Sequence, residues 1–207
     1  MIFNWIRQLR YSSCAQILKI LQIMILFLVR GFSHDKLTKK VIDLPLHGNS
    51  EVGKKLTSGQ YIFAGVQFDL EVDNPWLIEP PSQDVELCLH GFCWLNDLAS
   101  YGNSKARNCA LGWIKKWHFY NPFGKKNGWD PFISAIRCKN ILRNWIFLTG
   151  VSPRDVQVVS KHLYQHYKYL KLMLPIYPAG YKKIQIAYSV FLLSSTYEIS
   201  NRSQKKI

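Results

Sequence analysis

Chemistry is best sought where polar side chains recur at helical spacing inside apolar runs. His162 and His166 stand four residues apart, so both would face one side of a helix and could hold one metal ion. No Glu follows His162 in the metalloprotease pattern and no third ligand stands near in sequence, so no metal is expected. With Tyr164, Tyr167 and Tyr169 around it, the pair reads as packed or surface histidines. Arg137, Asn140 and Asn144 share one helical face, with Arg143 off it and Trp145 adjacent. A guanidinium fork beside amides suits a carboxylate or sulfate. The same residues would serve equally well to tie neighbouring loops to the helix. His90 lies in the stripe Leu87–Leu98, LCLHGFCWLNDL, with Trp94 four residues on and with Asn96 and Asp97 able to cap or bind. A lone His in such a stripe is more often a hydrogen-bonded core residue than a base.

Other chemistries lack their signatures. The chain has no nucleophile elbow of the G-x-S-x-G type, no phosphate-binding P-loop and no dinucleotide glycine fingerprint. Asp69, Glu71, Asp73 and Glu79 cluster, but in a turn-rich stretch where acids are routine, so no glycosidase-like pair can be chosen. No cofactor is expected.

The elements that must position these residues are mostly helices. Gln60–Leu70, QYIFAGVQFDL, alternates like a strand pair about an Ala64-Gly65 turn. A proline-bearing connection, 71–83, follows. Helices are then expected over Ser82–Tyr101 (closed by Gly102-Asn103), Lys105–Trp117, Ile133–Thr149 (ended by Gly150), from Ser152 to about Leu174, and Tyr181–Tyr197. Asn121–Gly128 reads as a turn-rich loop. Ser152-Pro153-Arg154-Asp155 is a helix start: a cap, a first-turn proline and an acid near the positive helix end. Short loops between such helices imply antiparallel hairpins. Residues 1–58 read as an apolar, basic helix and a linker, 59–200 as the folded domain, and 201–207 as a frayed tail.

Composition narrows the partners. The 207 residues can bury roughly 70% of their unfolded surface, and a 48% hydrophobic content excludes a disordered chain. Seven Trp and eleven Tyr suit a core first and a carbohydrate cleft second. The net charge is +14, yet residues 61–150 carry nine Lys/Arg against eight Asp/Glu, so the excess sits at the two ends. Without a basic face interleaved with aromatics, nucleic acid is not the expected partner; an anionic polysaccharide or a phosphate-rich surface fits the charge as well. Five scattered Cys argue against a disulfide framework, and Cys88 and Cys93 sit in an apolar stripe as small hydrophobes do. Ile17–Val29 follows Arg7 and Arg10 like a short signal core, but it contains Lys19 and Gln22 and no small-residue cleavage site follows. It reads as a buried or interfacial amphipathic helix that could meet a membrane surface, with a signal-anchor and a cleaved signal as the other readings.

Five segments in order carry a family resemblance: SGQYIFAGVQFDL, NPW at 74–76, LHGFCWLNDL, ALGWIKKWHFYNP and WDPFISAIRCKNILRNWI. From Gly59 to about Leu193 the chain resembles the N-terminal part of bacterial heparinase II/III family proteins. The resemblance implies a mainly α fold, an incomplete α/α toroid of antiparallel helical hairpins preceded by a small β-hairpin. In the family, further helices and a large β-sandwich domain follow. It implies descent from lyases that cleave uronic-acid polysaccharides by β-elimination, chemistry that needs a carboxylate-neutralising group, a base and an acid. Those groups are expected mostly on later segments, so the chain reads as a truncated relative, inactive alone, completed by a C-terminal piece encoded downstream. His90, Trp94, Asn96, Arg137, Asn144 and Trp145 are the candidate substrate-binding residues, and no catalytic residue can be assigned. The family implies the cell envelope; the residues fit a cytoplasmic or membrane-associated protein equally. The alternative function is a non-enzymatic anion- or carbohydrate-binding, or membrane-associated, helical protein.

Overall fold

In the computed structural model the described residues are 48–69, 74–122 and 128–204, with side chains described up to 196. All lie in the second of the two compact units into which the chain divides, His34–Ile207. The readings of Ile17–Val29 as a packed helix, anchor or signal fall outside the described residues. No described helix is long and apolar enough to cross a membrane.

The described fold is mainly helical, with eight helices and one two-stranded antiparallel hairpin. The elements are α1 (Ser50–Thr57), β1 (Tyr61–Phe63), β2 (Val66–Phe68), a 3-10 turn (Pro75–Leu77), α2 (Gln83–His90), α3 (Trp94–Tyr101), α4 (Ser104–Tyr120), α5 (Pro131–Arg143), α6 (Trp145–Thr149), α7 (Pro153–Ile176) and α8 (Tyr181–Gln204). The hairpin forms where the alternation places it. Tyr61 pairs with Phe68 and Phe63 with Val66, and Ala64 and Gly65 turn at φ 50° and 79°. Two successive positive φ values are what a two-residue hairpin needs to match strand twist.

Helix starts follow their caps. Ser82 accepts from the Val85 N–H, Asn103 from Ala106, and Ser152 from Arg154, with Pro153 in the first turn. Asp130 accepts from the N–H groups of Phe132 and Ile133. Gly102, at φ 74°, ends α3 in the left-handed conformation.

Four expectations need correction. The linker expected to close residues 1–58 contains α1. Asn49 caps it, Glu51 lies in its first turn, and Lys54 and Lys55 lie in its last, each charge complementing the helix dipole. The helix expected over Ser82–Tyr101 breaks at Gly91–Cys93, because Phe92 adopts φ 60°. That conformation costs about 1–2 kcal/mol. It drives the Phe92 ring into full burial against Trp76, Trp94 and Trp117. The helix expected over Ile133–Thr149 breaks at Asn144, whose amide donates to the Asn140 carbonyl at 2.9 Å and competes there with the helix backbone. Finally, α8 runs to Gln204, into the stretch expected to fray.

Packing is tight around these breaks. α1 lies on α3; α5 lies against both α7 and α8. A Cβ on Gly53 would stand 2.2 Å from the Asp97 carbonyl oxygen, so only glycine lets α1 come this close to α3. The core is aromatic, and all six described tryptophans are buried. Trp94 meets Trp113 edge-on at 4.9 Å, and Trp117 meets Trp129 at 5.4 Å.

Candidate functional site

Two polar clusters lie inside this core. The first is a seam between the α2–α3 break and α5. Asn144 Nδ2 donates to Asn96 Oδ1 at 2.8 Å, and Asn96 Nδ2 donates to Asn140 Oδ1 at 3.4 Å. Asn140 Nδ2 donates to the Gly91 carbonyl at 2.9 Å. Arg137 Nε donates to the His90 carbonyl at 2.7 Å, and its Nη2 donates to the Gly128 carbonyl at 2.6 Å. His90 and Gly91 end α2, where the unpaired carbonyls and the negative pole of the helix favour a cation. The guanidinium also lies 3.8 Å over the Trp117 ring and 5.1 Å from that of Phe92.

All six residues expected to bind substrate are buried: His90, Trp94, Asn96, Arg137, Asn144 and Trp145. The seam unites Asn96, Arg137 and Asn144 with the backbone of His90. The His90 ring stacks 6.1 Å from Trp76, and Trp94 Nε1 donates to the Leu89 carbonyl at 3.0 Å. Trp145 packs in the core. The Arg137 fork is thus engaged by backbone carbonyls, and no described tryptophan offers an open face to a sugar ring.

The second cluster joins the His162/His166 pair, visible in the sequence spacing, to a third histidine that the spacing missed. His162 and His166, one turn apart on α7, meet His118 from the end of α4. Ring centroids are 4.6 Å apart for His118–His162, 4.7 Å for His162–His166 and 5.9 Å for His118–His166. One ring nitrogen from each lies within 4.8 Å of the others. Trp129 stacks on His166 at 4.7 Å, and Trp117 meets all three edge-on. Arg137 joins the two clusters, its Nη1 standing 3.1 Å from His166 Nε2.

Burial and charge keep these imidazoles neutral. Burial, followed by the Arg137 charge, pulls His118 down to about 4. Burial also holds His162 and His166 well below the usual histidine range, with Arg137 and the neighbouring rings adding to it. Burial pushes the Arg137 guanidinium down to about 9, so it stays charged at neutral pH. Within this trio four buried ring nitrogens have no hydrogen-bond partner among the described residues: His118 Nε2, both nitrogens of His162, and His166 Nδ1. Neutral histidines that converge in this way are the form in which imidazole ligates metals. Arg137 opposes that use of His166. A guanidinium only donates, so Nε2 must accept and Nδ1 must carry the hydrogen.

No protein-family model, curated protein or solved structure matches this chain.

Proposed function

We propose that the chain supplies the front helices of a heparinase II/III-type α/α toroid, in a protein that cleaves uronic-acid polysaccharides by β-elimination. The observation that carries this reading is the seam. The two segments with the most specific resemblance, LHGFCWLNDL and WDPFISAIRCKNILRNWI, lie face to face, and their Asn96, Arg137, Asn140 and Asn144 mesh with one another or with the α2 terminus. In this reading the shared polar residues build the wall of the toroid rather than touch substrate. Their donors already have protein acceptors, so they have little left to offer a uronate. The base, the acid and the carboxylate-neutralising group are then supplied by a further segment.

The apolar stripe on α8 agrees with this reading. Tyr181, Ile184, Tyr188 and Phe191 recur at three- and four-residue spacing and are 43–67% exposed. Such a face is what the next helical hairpin of a toroid would cover. The test is to incubate the chain with uronic-acid polysaccharides, alone and with the polypeptide encoded immediately downstream, and to follow unsaturated uronate by ultraviolet absorbance. Product is expected only from the combination. Product from the chain alone would move the reacting groups into these residues, and none from either would refute the lyase reading.

A further inference from the structure

We propose that Cys88 and Cys93 form a dithiol site that exchanges with small-molecule disulfides, Cys93 attacking first, and closes into a Cys88–Cys93 disulfide across the end of α2. The proposal stands on the helix break and is independent of the lyase reading. The break is a Schellman-type helix end. The Cys93 N–H donates to the Cys88 carbonyl at 3.0 Å, and Phe92 takes the left-handed position between them at φ 60°. Such an end sets the side chains of the two bonded residues against one another, where an apolar pair usually meets. In this chain both are cysteine, and both are free thiols. The Cys88 thiol hydrogen-bonds to the Cys93 sulfur, so the two sulfurs are in contact. Disulfides span Cα separations of about 4.4–6.8 Å, a reach that a direct backbone hydrogen bond between the two residues satisfies. Both residues are partly exposed, whereas Cys138 is sealed in the core.

The surroundings divide the roles. Asn140 Nδ2 stands 3.8 Å from the Cys93 sulfur as a donor, and the protonated thiol makes only a long 3.8 Å contact to the Leu87 carbonyl. The hydrogen bond from Cys88 lowers the Cys93 thiol below its ordinary value, and Asn140 and the Lys139 charge add to this against burial and Asp97. The same Cys88–Cys93 bond, followed by burial, holds the proton on Cys88, against the Ala64 backbone. A thiolate on Cys93 beside a protonated Cys88 is the arrangement of an attacking and a resolving thiol.

The exchange balances with a low-molecular-weight disulfide as oxidant. The Cys93 thiolate attacks one sulfur of that disulfide, whose S–S bond breaks. A mixed disulfide forms on Cys93 and one thiolate leaves. Cys88 then loses its proton and attacks the Cys93 sulfur, releasing the second thiolate. Two protein thiols are oxidised, one disulfide is reduced to two thiols, and the two protons pass to those products.

The experiment uses the full chain, reduced and then equilibrated without denaturant in oxidised glutathione. Excess iodoacetamide in urea stops the reaction, and tryptic peptides are analysed by mass spectrometry. The peptide Leu56–Lys105 contains Cys88 and Cys93 and no other cysteine. It is expected to be two hydrogens lighter than its reduced form and free of alkyl groups, while the Cys138 peptide is alkylated. Cys88→Ser, confirmed as folded by circular dichroism, is expected to stop with one glutathione on Cys93. Cys93→Ser is expected to react at least about tenfold more slowly than Cys88→Ser. Both cysteines alkylated after equilibration, a glutathione retained on each, or a bond from either to another cysteine would overturn the proposal in the unsubstituted chain. Equal rates in the two variants would overturn it as well.

Discussion

At the scale of the residue, Arg137 does the most. Its three arms reach the end of α2, the Gly128 turn and His166, and its plane rests on Trp117. Arg137→Leu should lower stability by about 3–5 kcal/mol in urea unfolding, because two backbone carbonyls lose their buried donors. Arg137→Lys should recover little of that, since an ammonium cannot reproduce the planar fork. Acid sensitivity belongs to the histidines. Their folded values lie below the unfolded value near 6.5, so below that pH the unfolded chain binds protons the native core refuses. The histidine contribution is therefore constant above about pH 6.5 and stability falls as pH drops from there towards 4. Each histidine contributes up to about 1.4 kcal/mol per pH unit. Unfolding free energies measured at pH 7, 6 and 5 check this, and His162→Phe should flatten the slope.

At the scale of the element, glycines test how the helices meet. Gly53→Ala should destabilise by about 2 kcal/mol, because its Cβ would press on the Asp97 carbonyl. Gly112→Ala, inside α4 with open space around it, should stabilise by about 0.8 kcal/mol. Chemical denaturation of the two variants separates the cases by sign. The same scale explains what sequence could reveal. The hairpin was legible because alternation and turn chemistry agree locally, and the start of α7 because its cap, proline and acid fall in order. The break at Phe92 was not legible. A left-handed phenylalanine is locally unfavourable and persists because Trp76 and Trp117, from other segments, enclose it together with the neighbouring Trp94. His118 was missed for a related reason. Its partners are more than forty residues away, and only the packing of α4 beside α7 brings them together. The polar face of α5 was visible as a pattern, yet sequence alone left open whether it held a ligand or a neighbouring helix. In the fold, Arg137 and Asn140 on that face donate to the carbonyls of His90 and Gly91.

At the scale of the whole molecule, the apolar stripe of α8 is a surface open to other chains. Ile184→Glu combined with Phe191→Glu should leave the helical signal unchanged and reduce concentration-dependent association, read by sedimentation velocity. Unchanged association would place the sticky surface elsewhere. The central structural claim is that the two signature segments mesh through buried amides, with Asn144 bonded to Asn96 at 2.8 Å. The most direct measurement is a double-mutant cycle of Asn96→Ala and Asn144→Ala in equilibrium urea unfolding. A coupling of about 1–2 kcal/mol is predicted, with each single variant nearly as damaging as the pair. Strictly additive losses would contradict the seam, and with it the observation on which the lyase-type reading rests.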